Sequence, residues 1–167
     1  MTDGEPGAPA ATIVLRRAGE SDRDRLLGWR NLPEIVALSS SQRTVTTAEH
    51  GAWFAAALAD PGCHLLIVEV DGEPVGHIRL QDSPAGYATI TVYLVPGSTG
   101  RGIGVPALRD ASRRSFEAGC RELRAFVLTD NARSIAAFTR AGFGALDDES
   151  EPIPEGHVCL VLRSGLQ

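Results

Sequence analysis

No apolar stretch among the 167 residues approaches the length of a membrane span, so no membrane role is expected. Basic charge is not in excess. Sixteen Lys and Arg stand against 21 Asp and Glu, a net charge of −5, which argues against non-specific binding to nucleic acid. Cysteine is scarce and odd in number. Cys63, Cys120 and Cys159 lie far apart with no metal-ligand spacing. Each sits in or beside an apolar run, the pattern of a buried reduced thiol, so a reducing, cytoplasmic compartment is expected. Histidines 50, 64, 77 and 157 do not cluster in sequence, and no metal is expected. The first ten residues lack the basic and apolar regions of a signal peptide. Residues 1–11 read as a disordered lead-in, leaving 12–167 as one domain.

What is present is ordinary globular composition, 43% hydrophobic and 22% charged, on a chain long enough to bury a core. Thr12 to Arg17 reads as a first strand. Ser21 can cap a helix bearing Leu26 and Leu27, and Pro33 ends it and opens a short second one. Residues 39–45 are a polar loop. Thr46 with Glu49 forms a capping box for a helix over 47–59, with Trp53, Phe54, Ala57 and Leu58 as its apolar face. Cys63 to Val70 and Val75 to Leu80 are strands joined through a turn at 71–74. A helix over about 104–118 ends near Gly119, and Leu123 to Leu128 is a strand. A helix opening at Asp130-Asn131 ends at Gly142, an acidic loop covers 145–156, and His157 to Leu162 closes the chain. The predicted order is β-α-α-α-β-β-β-α-β-α-β, a mixed α/β sheet.

Residues 89–109 organise this pattern. Ile90, Val92 and Leu94 share one face of a strand, with Thr89, Thr91, Tyr93 and Val95 on the other. Pro96 ends the strand. Four glycines, 97, 100, 102 and 104, then lead into a helix with Pro106 in its first turn. Backbone N–H groups at such a helix start, with Arg101 beside them, suit a phosphate. A Walker loop is excluded because no Lys follows the glycines. A dinucleotide fingerprint fits Gly102-Ile-Gly104-Val-Pro-Ala107, with Glu122 at the distance of a ribose-binding acid. Yet three consecutive strands in mid-chain are not the alternation of a doubly wound sheet. A plain structural turn is the remaining reading.

The stretch Val-Pro-Gly-Ser-Thr-Gly-Arg-Gly-Ile-Gly resembles the acyl-CoA pyrophosphate loop of the GNAT superfamily of N-acetyltransferases, with Thr99 where Arg or Gln is usual. Downstream, Asn131-Ala-Arg-Ser-Ile-Ala-Ala-Phe138-Thr-Arg-Ala-Gly142-Phe143 resembles a second motif of that family. In the N-terminal half, Trp29-Arg30-Asn31-Leu32-Pro33-Glu34 and Glu49-His50-Gly-Ala-Trp53-Phe54 are similar to acetyltransferases of nucleotide-linked 4-amino sugars, as in pseudaminic acid biosynthesis. The resemblance implies a GNAT-type sheet whose fourth and fifth strands splay, acetyl-CoA as cosubstrate and a small-molecule amine as acceptor. It implies pairing of the Leu94 and Val95 backbone with pantetheine, and pyrophosphate held by Thr99, Gly100, Arg101, Gly102, Ile103, Gly104 and Val105. Asn131 and Phe138 would also contact the cofactor. Phe138 departs from the pattern: many relatives have Tyr there as the acid for the leaving thiolate, and Phe has no proton to give.

Tyr93 is the other phenol near by in sequence. Glu49, His50 and His77 are the candidate bases. Arg30 and Arg79 are candidates to hold a phosphate of the acceptor. An acidic acceptor groove would favour aminoglycosides or polyamines, a basic one a sugar nucleotide. The alternatives are acetylation of a protein N-terminus or an antibiotic amine, or a non-catalytic CoA-binding module. A homodimer is compatible with the sequence, which does not set the oligomeric state.

Overall fold

The computed structural model describes residues 10–146 and 152–165. Most of the lead-in predicted over 1–11 and the middle of the acidic loop therefore lie outside the described residues. The chain runs β1 (Ile13–Arg17), a 3-10 turn (Glu20–Asp22), α1 (Arg23–Arg30), α2 (Pro33–Leu38), α3 (Thr47–Ala59), β2 (Cys63–Val70), β3 (Glu73–Asp82) and β4 (Ala88–Leu94). It continues with α4 (Gly104–Glu117), β5 (Glu122–Leu128), α5 (Ala132–Arg140), β6 (Gly144–Ala145) and β7 (His157–Arg163). This is the predicted order with a 3-10 turn and a two-residue strand added. The seven strands form one mixed sheet in the order β1-β2-β3-β4-β5-β7-β6, with β4 and β5 parallel and the other neighbours antiparallel.

Period-two alternation on the central strands assigns each face of the sheet to different helices. Leu66, Val68, Ile78, Leu80, Ile90 and Leu123 form one core with Leu108 and Ala111 of α4 and Phe138 of α5. On the opposite face Cys63, Leu65 and Ile67 pack with Leu26 of α1 and Phe54 and Ala57 of α3. His77 and Arg79 follow the second face, because they alternate with buried Ile78 and Leu80.

Several local expectations need correction. Ser21 makes no cap; α1 starts on Asp22, whose carboxylate has a better use. Asp22 is buried and binds Arg16 at 2.7 Å and Arg25 at 2.7 Å, and it accepts the Gly19 N–H at 3.0 Å. The β2–β3 turn is two residues, not four. Asp71 and Gly72 take φ of 51° and 84°, the primed turn that matches strand twist, so pairing resumes at Glu73. Leu58 is exposed; His50 shares the buried side of α3 with Phe54 and Ala57. The predicted capping box is present, with the Glu49 N–H on the Thr46 Oγ1 and the Thr46 N–H on Glu49 Oε2.

Candidate active site

The sheet forks at its centre. β3 and β4 stay paired from Asp82–Ala88 to Gly76–Leu94, whereas β4 and β5 are in register only at Ala88–Leu123 and Thr89–Arg124. Beyond Thr89 the two parallel strands diverge. A cleft of about 810 Å³ occupies the gap and passes through to the α1–α3 side.

The fork assigns the backbone donors. The Val95 N–H donates to the Val75 carbonyl at 2.9 Å, and the Val95 carbonyl accepts from Ser98 N–H at 3.0 Å. Val95 is thus spent on β3 and on the turn, and its expected pairing with pantetheine is corrected. Because N–H and C=O groups of successive residues point to opposite sides of a strand, the Leu94 backbone faces the fork. Leu94 also lines the cleft.

Past Pro96 the glycine loop forms one end of the cleft. Thr99, Gly100, Gly102, Ile103, Gly104 and Val105 line it; Arg101 is exposed and does not. Gly100 and Gly102 have φ of 74° and 75°, a conformation that turns successive N–H groups inward and disfavours a side chain. Among the described residues, the N–H groups of Gly102, Ile103, Gly104 and Val105 have no hydrogen-bond partner. Ile103, the N-cap of α4, supplies no side-chain cap. Such a helix start fits a pyrophosphate.

The second wall is α5. Asn131 lines the cleft and is also its N-cap, with Oδ1 accepting the Ser134 N–H at 3.1 Å. Phe138 lines the cleft from beneath. It is buried, and its ring meets Phe143 edge-on at 5.0 Å. No phenol occupies that wall. Tyr93 lies on the other face of β4 and pairs across the strands with His77, their rings 5.3 Å apart. Burial pushes the Tyr93 phenol above its usual range, so it keeps its proton.

The acceptor half of the cleft is lined by Arg30, Glu34, His50, Trp53, His77, Arg79, Thr91 and Tyr93. His50 stacks on Phe54 at 5.9 Å and leans on Trp53 at 5.3 Å. Neither His50 ring nitrogen nor His77 Nε2 has a hydrogen-bond partner. Burial drives both imidazoles below the ordinary range, His77 to about 3, where neighbouring Arg79 and His50 add to the effect. Both are neutral near pH 7.

Glu49 does not belong to this site. It is absent from the cleft wall, and Arg43 at 3.0 Å together with the capping box holds its carboxylate at about 2, far too acidic for a base. Its role is to cap α3. Asn31 clamps Val45 through two bonds of 2.8 Å, and Arg30 binds Ser41 and the Arg43 carbonyl, so this motif pins the 39–45 loop. Two features escaped the sequence reading. His157 lines the cleft and joins Ser40 of that loop at 3.2 Å. Gly76 faces Leu94 at the fork, where a Cβ would lie 2.6 Å from the Tyr93 carbonyl oxygen and from the Leu94 side chain. Neither is signalled by local pattern, since both depend on a strand distant in sequence.

The model of the acetyltransferase (GNAT) family matches residues 26–143, most of the chain and the whole of the fork and loop. The chain belongs to the GNAT family. No curated protein sequence matches it. Among solved structures, a domain from Methanocaldococcus jannaschii DSM 2661 is similar, with TM-score 0.81 and 19% identity over 92% of this chain and 99% of that one. The aminoglycoside acetyltransferase AAC(6')-Ib in complex with coenzyme A has TM-score 0.79 and 21% identity over 92% and 95%. Spermidine N-acetyltransferase from Vibrio cholerae, with CoA and spermine, has TM-score 0.74 and 15% identity over 90% and 95%. At these identities the likeness is one of fold. For this GNAT member the cosubstrate is acetyl-CoA, and the chain is an acetyl-CoA-dependent N-acetyltransferase. The four unpartnered N–H groups and the fork beside Leu94 fit that cosubstrate.

Proposed function

We propose that this acetyltransferase modifies the primary amine of a small acceptor that carries negative charge, an amino sugar bearing phosphate or nucleotide. The observation that carries this reading is the charge of the acceptor half of the cleft. Among the described residues, two arginines, Arg30 and Arg79, and two neutral imidazoles line it against the carboxylate of Glu34, which is exposed at its rim. Such a wall repels a polycation such as spermine and attracts an anion.

Acetyl-CoA supplies an activated thioester. In this reading the unpartnered N–H groups of Gly102 to Val105 hold its pyrophosphate and the Leu94 backbone receives its arm in the fork. Asn131 and Phe138 form the facing wall. The Leu94 N–H is positioned to polarise a carbonyl lying in the fork, where a fixed donor in a dry site acts strongly. Tyr93 keeps its proton and is the donor available once Phe138 cannot serve. His77 and His50 are uncharged on the acceptor side and line the amine's entry without competing with it in charge; at about 3, His77 is too weakly basic to take the amine's proton.

The test is release of free thiol from acetyl-CoA with amines matched in size and varied in charge. Thiol release with glucosamine 6-phosphate or a nucleotide-linked amino sugar, exceeding that with spermidine and kanamycin, is expected. Preference for the polycations would overturn the acceptor assignment.

A further inference from the structure

Arg79 presents an electrostatic problem that the protein alone does not solve. Its guanidinium projects from the middle of β3 into the cleft, with its carbon 5.7 Å from the centre of the Trp53 ring. Nη2 donates to Gln81 Oε1 at 2.8 Å, and Gln81 Nε2 in turn donates to Asp60 Oδ2 at 2.9 Å. Nε is buried and has no partner. The nearest carboxylate on this chain of bonds is therefore one neutral amide away, and among the described residues Arg79 makes no ion pair. A half-buried cation held in a fixed pose with a free donor is costly unless an anion completes it. Other arginines show the contrast: Arg16 is paired with Asp22 and Glu69, and Arg113 with Asp110 and Glu117.

Two further groups converge on the same place. His50 is 4% exposed with both ring nitrogens unpartnered, and His77 is 5% exposed with Nε2 unpartnered. His50 comes from α3 and contacts Trp53, the residue under the Arg79 guanidinium. His77 lies two residues before Arg79 on the same face of β3. Three polar side chains from two elements thus line one cleft, each with at least one nitrogen that has no hydrogen-bond partner. The charged groups around them are Asp60, which acts on Arg79 through space beyond Gln81, Arg23 and Asp24 near His50, Arg30 near Tyr93, and Glu34 at the rim.

We propose that Arg79, His50 and His77 form a receptor for an anionic group of the acceptor, a carboxylate or a phosphate, seated one step along β3 from the reacting amine. Two residues along a strand span about 7 Å, so an anion on the Arg79 guanidinium, with His77 bordering it, lies about that far from an amine at Tyr93, the residue across from His77. The Gln81–Asp60 pair positions Arg79: it fixes the planar fork against Trp53. This rests on the acetyl-transfer reading for its meaning, but the receptor itself is a binding site that can be measured without turnover.

The experiment is a titration of the free and CoA-loaded protein with inorganic phosphate and, separately, acetate, followed by the Arg Nε–H and His ring resonances. Saturable shifts of Arg79, His50 and His77 are expected, and the stronger of the two anions identifies the ligand group. Arg79→Gln is expected to weaken that binding about tenfold or more. If that variant does not fold, Arg79→Lys replaces it, with a several-fold weakening from loss of the fork. No shift with either anion, or equal affinity in the variant, overturns the receptor. In the kinetic arm, Arg79→Gln should raise KM for glucosamine 6-phosphate about tenfold more than it raises KM for glucosamine; an equal loss for both overturns it. Absence of thiol release with every amine, alongside intact anion binding at Arg79, would refute the transfer reading while upholding the receptor.

Discussion

Asp22 shows what a single buried carboxylate does for this fold. It ties β1 to α1 by accepting from Arg16, Arg25 and the Gly19 N–H, while itself almost wholly enclosed. Hydrogen bonding by Arg16 holds it at about 2, below the ordinary 3.8, against the opposing effect of burial. Its folded value is depressed, so its stabilisation is present above pH 3.8 and is lost as pH falls through about 2. Asp22→Asn is expected to cost about 2 kcal/mol in urea unfolding at pH 7. The difference from wild type should shrink as pH is lowered towards 2. A constant difference across that range would show that packing, not charge, is the source.

At the scale of elements, the helix ends were the most legible. Thr46 and Glu49 mark the start of α3 from sequence, because a capping box is a contact between residues three apart. Gly119 and Gly142 mark the ends of α4 and α5 for a similar reason. In each, the glycine and the next residue donate back to the last turn: Gly119 to Phe116 and Cys120 to Ser115, Gly142 to Thr139 and Phe143 to Phe138. In α5 this brings Phe143 against Phe138, so the ring in the position of a usual tyrosine doubles as the hydrophobic contact of a helix stop. What the sequence could not give is the use of donors between strands. Leu94 and Val95 look equivalent in sequence, yet only the pairing with Val75 reveals that Val95 is engaged. Glu49 shows a related limit: charge near a motif does not tell which side of a helix it occupies. Gly76 is the strongest consequence of the strand geometry. Gly76→Val is expected to force β3 and β4 apart at the fork, lowering stability by about 2 kcal/mol and weakening CoA binding together. A variant that melts like wild type and binds CoA normally would contradict this.

For the whole molecule, the sheet order and the fork divide labour between two faces. One carries α4 and α5 with the glycine loop; the other carries α1 and α3 with Tyr93, His77, Arg79 and His50. Sequence order and motif resemblance brought out the mixed sheet, the splay of β4 from β5 and the family. The acceptor side was less legible, since it is assembled from α1–α3 and two strands whose polar residues read equally well as surface. Arg30 and Asn31 in particular serve to pin the 39–45 loop.

The central claim is that the fork and glycine loop bind acetyl-CoA, and calorimetric titration of CoA into wild type and Gly102→Val tests it most directly. Gly102 has φ of 75° and nothing within 4 Å of an added Cβ, so valine strains the loop and projects into open space rather than into the core. Saturable binding by wild type, lost in a variant that melts within a few degrees of it, is the expected result. Unchanged affinity in Gly102→Val, or no binding by wild type, would contradict the account.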